Sequence, residues 1–228
     1  MERLIRMPDL AGALQIYDTA VDYARMAGLE SEVAWQRGAC PEELLESTFL
    51  REAAWVVLCS GFREAIVRRV FDYVSLCYCD WESAAAISEA GPACVFAASA
   101  AFGNTAKLSA LVDIAKRIER QGFAAVKAGI LCDPIATLRQ FPFIGPVTVW
   151  HLAKNLGFDT AKPDRHLVRI AEYYGFDHPH AFCAAIAQAS GEPVKVVDLV
   201  VWRFLVDHSR ADLAQSPSHS RHLGCTLK

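Results

Sequence analysis

The chain lacks what would commit it to a membrane, a metal cluster or a bulk electrostatic grip on a polyanion. Its longest uncharged run, Ala90 to Ala106, is interrupted by Gly91, Pro92 and Asn104 and is too short to span a bilayer. The opening Met1-Glu2-Arg3-Leu4-Ile5-Arg6 has no long apolar stretch of the kind a secretory signal needs, so an intracellular protein is expected. Eight cysteines, at 40, 59, 77, 79, 94, 132, 183 and 225, show no repeated pair spacing and no cluster of four. That pattern argues against zinc or an iron–sulfur cluster, and most of the thiols are expected to be small buried hydrophobes in a reducing compartment. A net charge of −3 supplies no overall excess of Lys and Arg. Internal repeats and long low-complexity segments are missing as well.

What is present is helical periodicity. With 228 residues, 53% of them hydrophobic and 21% charged, the chain can bury a substantial core as one unit or two small lobes. Val67, Val70, Phe71 and Val74 recur at helical spacing, as do Leu108, Leu111, Val112, Ala115 and Ile118, and then Val149, Leu152, Ala153 and Leu156. Breakers separate these runs at Gly91-Pro92, Gly103-Asn104, Gly122, Asp133-Pro134, Gly157, Gly175 and Gly191-Glu192-Pro193. The β-branched run Val194 to Val206 fits a strand by composition, but its length and the spacing of Asp198, Trp202 and Leu205 favour a helix. An all-α protein is predicted, with a polar, flexible tail over 209–228.

The segment from Leu138 to Arg169 holds the chemistry. A short helix, the hairpin Phe141-Pro142-Phe143-Ile144-Gly145-Pro146, a second helix and Lys162-Pro163-Asp164-Arg165-His166 follow one another. Gly145 is expected to take up the backbone angles of the tight turn, and Pro146 suits the first turn of the next helix. Unpaired N–H groups of Gly145, Val147 and Thr148 at that helix start would attract an anion, and a nucleic-acid phosphate is the obvious one. Lys154, Lys162, Arg165, His166 and Arg169 gather nearby, although each also reads as part of a solvated charged face.

The pattern Leu138-x-x-Phe141-Pro142-x-Ile144-Gly145-Pro146-x-Thr148, followed by Asp164 sixteen residues later, resembles the helix-hairpin-helix (HhH-GPD) superfamily of DNA glycosylases. The likeness extends more loosely to Phe49–Phe71 and to Phe102-Gly103-Asn104-Thr105-Ala106-Lys107. It implies a two-lobed all-α fold, in which residues 1–62 pack with 158–208 and residues 63–157 form a bundle carrying the hairpin over 138–157. It also implies that Asp164 is the catalytic carboxylate. Losing a base leaves positive charge on the sugar, and a fixed anion at about 4 Å in an effective dielectric near 20 is worth about 4 kcal/mol, roughly a thousandfold in rate. Asp164 equally suits the N-cap of the helix that follows.

Members that also cleave the strand carry a Schiff-base lysine early in the second hairpin helix; here the matching positions hold Val147 and Val149. A monofunctional, hydrolytic enzyme is therefore implied, unless Lys107, Lys154 or Lys162 reaches the sugar. His151 and Lys154 are candidate catalytic helpers, with a surface histidine the alternative. Gly145, Val147, Thr148, Lys162 and Arg165 would hold the DNA backbone. Phe62 would be the wedge filling the vacated stack, or else a core residue, and Arg63 a partner for the orphan base. Asp198 and Trp202, one helical turn apart, would line the base pocket, or be a buried ring and a surface acid; Trp55 and Trp150 are further pocket candidates. The resemblance also suggests a monovalent cation, Na or K, on the carbonyls of Arg139, Phe141 and Ile144, with no other cofactor required.

The partner implied is double-stranded DNA containing a modified base, met by a monomer in the cytoplasm or nucleoid and not at a membrane. Oxidised guanine, an alkylated purine and a modified base of foreign (phage) DNA all stay open. The alternatives are a noncatalytic DNA-binding protein that keeps the hairpin as a clamp, and a glycosylase/lyase using an unrecognised lysine.

Overall fold

The computed structural model describes residues 7–214. Among these the chain forms twelve α-helices and no strand. They are α1 (Leu10–Met26), α2 (Glu30–Gly38), α3 (Glu46–Cys59), α4 (Glu64–Cys77), α5 (Ala84–Ala98), α6 (Thr105–Gln121), α7 (Phe123–Cys132), α8 (Pro134–Leu138), α9 (Thr148–Asn155), α10 (Arg165–Tyr173), α11 (Pro179–Ser190) and α12 (Val194–Ala214). The all-α expectation holds, and no described helix is long and apolar enough to cross a membrane.

Helix boundaries follow local chemistry. Asp9, Ser83, Asn104, Asp133, Asp164 and His178 each accept a backbone N–H from the first turn of α1, α5, α6, α8, α10 and α11, filling donors that a helix start leaves orphaned. Gly191 ends α11 in the left-handed conformation. The expected break at Gly91-Pro92 is present as a kink within α5: Gly91, at φ +35°, leaves helical geometry and separates two helical segments. The Val194 run is helical, and α12 continues past Ser209 to Ala214, so the predicted tail starts too early; 215–228 lie outside the described residues.

Two hydrophobic cores form. One runs from Leu44 to Leu156 and contains the buried faces of α3 to α9. The other gathers Ala13, Tyr17 and Ala20 of α1 with Leu167, Phe182, Ile186, Val197 and Val201 of α10 to α12, while Leu29 and Val33 pack against it from the α2 side. The predicted grouping of 1–62 with 158–208 therefore needs correction. Phe49, Ala53, Val56 and Val57 of α3 are buried in the core that also holds Phe141 and Val149, so the division falls near residue 40. Hydrophobic faces commit a helix to whichever neighbour covers them, and periodicity alone does not say which neighbour that is. The cysteine expectation also changes: of the described thiols only those of Cys94 and Cys183 are buried, and Cys132 is exposed.

The cores meet at Gly157. Its φ is +100°, and a Cβ there would lie 2.7 Å from the carbonyl carbon of Ala39 and 2.8 Å from the amide nitrogen of Cys40. The buried Lys195 ammonium fastens the same junction, donating to the carbonyls of Ala39 at 2.5 Å and Gly157 at 2.9 Å. Gly157→Ala must both adopt a strained φ and displace backbone. It is expected to cost at least about 2 kcal/mol, lowering the thermal unfolding midpoint by about 4–8 °C. A calorimetric midpoint within 1 °C of wild type would show that the Ala39–Cys40 connection yields freely.

Candidate functional site

Between the two cores lies a cleft of about 540 Å³, walled by α2, α3, α9 and α12. It brings together His151, Lys154, Lys162, Asp198, Trp202 and Phe62, which are scattered in sequence over 141 positions. Pattern reading did not single out its other polar residues: Glu32, Gln36, Glu52, Glu64, Arg68, Asn155 and Arg203. No local signal marks them as a set, because they lie on α2, α3, α4, α9 and α12 and converge only in the fold.

Asp198 anchors the site. Nearly inaccessible at 1% exposure, it forms an ion pair through Oδ1 with the equally enclosed Lys154 ammonium. Its Oδ2 accepts the backbone N–H of Lys162 at 2.7 Å. Burial pushes the Asp198 carboxyl up, against the pull of Lys154. Both residues are thus committed internally, which corrects two expectations: Lys154 is not a free helper, and Asp198 is not an open acceptor for a base. Together they fix the Lys162–Asp164 segment.

Asp164 Oδ1 accepts the N–H groups of His166 at 2.9 Å and Leu167 at 3.1 Å, capping α10. Its Oδ2 is left to the Lys162 ammonium at 4.0 Å, too long for a hydrogen bond. Asp164 itself does not line the cleft; Lys162 does. Burial draws the Lys162 ammonium below the ordinary lysine range while Asp164 opposes the shift, and the charge sits 5.9 Å from the ring centroid of Trp202. The same ring meets Arg203 at 5.0 Å, and Arg203 is clamped between Glu32 and Glu64.

The lysines expected to compete with Lys162 are occupied. Lys107 is buried and donates to the carbonyls of Val57 at 2.6 Å, Leu58 at 3.2 Å and Ser60, capping the end of α3. Its ammonium also lies 4.9 Å from the ring centroid of Phe62 and 5.9 Å from that of Phe143. Phe62 is 40% exposed at the cleft, with Phe102 at 5.1 Å. Arg63 stands exposed beside it at the N-cap of α4. Trp55 lines the cleft under Arg68, whereas Trp150 packs against the α3–α9 core.

The hairpin differs in detail from its sequence reading. The left-handed residue is Phe143, at φ +61°, and Gly145 is not at positive φ. A Cβ on Gly145 would meet only the Thr148 hydroxyl, at 3.8 Å. The Gly145 N–H is taken by that hydroxyl at 2.6 Å, so it is not available to a phosphate. The N–H groups of Val147 and Thr148 have no acceptor among the described residues, and Val149 N–H bonds to Gly145 O at 3.0 Å; α9 starts at Thr148 with Val147 as its N-cap, so Pro146 stands just before the helix and not in its first turn as expected. Arg165 is exposed, with its Nε 3.2 Å from His166 Nε2. Of the three carbonyls suggested for a cation, that of Phe141 already accepts the Ile144 N–H at 3.3 Å. Among the described residues no three His, Cys, Asp or Glu side chains gather as metal ligands.

No family model, curated protein or solved structure matches the chain. The site therefore has to be argued from its own chemistry.

His151 is held neutral. Burial first, then Lys162, Lys154 and Arg203, keep the imidazole well below its ordinary value of 6.5, and among the described residues no side-chain hydrogen bond engages it. The unfolded chain binds the proton near pH 6.5 and the folded one does not, so this group's contribution to stability is present above that pH and is lost as pH falls toward the folded value. The fall in thermal midpoint between about pH 7 and pH 5 is expected to be smaller in His151→Gln than in wild type. Equal falls would mean that the imidazole takes up its proton in the folded state.

Proposed function

We propose that the protein is a DNA N-glycosylase of the two-lobed helix-hairpin-helix kind, which removes a modified base from double-stranded DNA by hydrolysis. The observation that carries this reading is the Asp164 carboxylate. One oxygen is fixed by capping α10 and the other is free of hydrogen bonds, on a segment that Asp198 ties beside the cleft. A carboxylate so placed has a pre-set orientation and retains an oxygen for charge that develops only in the transition state.

In this reading the free N–H groups of Val147 and Thr148 donate to the oxygens of a backbone phosphate, with Arg165 beside the same strand. Phe62 fills the gap left by the flipped nucleotide, Arg63 faces the orphan base, and the base enters the cleft against Trp202 and Trp55. As the C1′–N bond breaks, its electron pair leaves with the base, and Asp164 faces the positive charge left on the sugar. Water adds at C1′ and gives up a proton, for which the neutral, unpartnered His151 is the available acceptor.

Asp164→Asn preserves the capping oxygen and removes the charge. Base release from a duplex panel bearing oxidised, alkylated and bulky modified bases, read as abasic sites after alkali, is expected to fall about a thousandfold or more, with duplex affinity within about threefold. Near-normal release by the folded variant would remove Asp164 from the chemistry. Duplex binding with no release by wild type would favour a noncatalytic clamp.

Lys162 favours a second reading, in which the enzyme also cuts the strand. Its ammonium alone among Lys107, Lys154 and Lys162 makes no hydrogen bond, and burial eases its deprotonation. Amine attack on the C1′ aldehyde of the abasic sugar would expel water as the imine forms; loss of a C2′ proton would then break the C3′–O bond and release the phosphate. Hydrolysis alone leaves no complex that borohydride can trap and keeps strands intact until alkali is added. Trapping that Lys162→Arg abolishes would establish the lyase instead.

A further inference from the structure

One wall of the cleft is built from three side chains that the scheme above leaves unused: Gln36 of α2, Glu52 of α3 and Asn155 of α9. All three are buried, Gln36 to 1% exposure. The Gln36 amide nitrogen donates to the carbonyl of Lys154 at 2.9 Å. That contact fixes the amide's orientation, because flipping it would set two oxygens against each other. Gln36 Oε1 is therefore the atom left over, and it is the one buried side-chain polar atom among the described residues with no hydrogen-bond partner. One residue further along α9, Asn155 Nδ2 donates to Glu52 Oε2 at 2.9 Å, and Arg51 donates to Glu52 Oε1 at 2.8 Å. Gln36 and Glu52 are thus held by consecutive residues of the same helix.

The donors that bind this wall together are directed at protein oxygens, and the atom left over is an acceptor. The same lining holds the Glu52 carboxylate, whose two oxygens each keep a further lone pair. A buried acceptor without a partner is a standing cost to the fold, and a bound ligand with a suitable donor relieves it. Trp35, Trp55 and Trp202 in the same lining favour a flat, aromatic ligand.

We propose that Gln36 and Glu52 read the edge of a guanine-type base on which N1–H and the 2-amino group stand side by side, so that the excised base is a guanine derivative. This inference rests on the base-excision reading. Adenine and cytosine set one amino group beside a ring-nitrogen acceptor, and uracil and thymine set a single N–H between two carbonyl oxygens. Each of these would turn an acceptor toward the Glu52 carboxylate or the Gln36 oxygen. Only the guanine edge offers two adjacent donors. Guanines altered on the imidazole ring share that edge with intact guanine, so selection for damage falls to contacts on the imidazole side of the ring.

The test is titration of the full chain with guanosine, inosine, adenosine and cytidine, followed by tryptophan fluorescence. Guanosine is expected to bind about tenfold or more tightly than inosine, which lacks the 2-amino group, and more tightly than adenosine or cytidine. Gln36→Leu, which leaves no orphan acceptor, is expected to reduce that preference about tenfold; Glu52→Gln does the same by a separate route and serves if Gln36→Leu fails to fold. Inosine binding as tightly as guanosine, or a preference untouched in folded variants, overturns the proposal and leaves solvent as the partner of Gln36. Nucleoside binding needs no base release. Guanosine selectivity without glycosylase activity would reject base excision alone, whereas release of a uracil or an alkylated adenine with no guanosine selectivity would reject this inference alone.

Discussion

The arrangement of the cleft depends on one enclosed ion pair, Lys154 with Asp198. It joins α9, which belongs to the hairpin-bearing core, to α12, the spine of the other core. Desolvating two charges is expensive, and an apolar pair of the same volume would often serve stability as well. What an apolar pair would not supply is the second oxygen of Asp198, which takes the Lys162 N–H and sets the path of the chain into Asp164. Removing either partner leaves a buried charge without an opposite, a loss of about 3–5 kcal/mol. The pair is best understood as a positioning device linking two helices to one loop.

Two other buried ammonium groups work in the same way. Lys195 holds the carbonyls of Ala39 and Gly157 where the cores meet, and Lys107 gathers three carbonyls at the end of α3 while facing the rings of Phe62 and Phe143. Counted by sequence, all three lysines belong to the positive charge offered to a polyanion. In the fold they act as hydrogen-bond hubs for backbone oxygens and a carboxylate. With a net charge of −3 and these cations turned inward, any grip on DNA falls to directed contacts such as the Val147 and Thr148 N–H groups more than to bulk attraction.

The cleft is also crowded with carboxylates, most of them paired with arginines. Arg203 bridges Glu32 and Glu64, Arg68 pairs with Glu64, and Arg51 pairs with Glu52. Burial pushes Glu64 up, but Arg203 and Arg68 outweigh it and hold the carboxyl below the usual range; for Glu52 burial wins and the carboxyl is raised. These pairs offset most of the acids, and the buried Glu52 and Gln36 line the same cavity.

The sequence by itself determined the helices and most of their ends. Periodic faces such as Leu108, Leu111, Val112, Ala115 and Ile118 are buried as their spacing required, and Asn104, Asp133 and Gly191 cap or stop helices for reasons contained in a few neighbouring residues. It also determined that Asp164 begins a helix, since the N-cap is a local bond. Only the tertiary structure decided that α3 joins the hairpin's core, that Lys154 meets Asp198 across 44 positions, and that Gly145 gives its N–H to Thr148 while Phe143 takes the left-handed turn. Periodicity and capping act within a turn or two of chain and survive in any packing. A buried charge finds its partner, and a polar wall such as Gln36, Glu52 and Asn155 assembles, only when helices distant in sequence are pressed together.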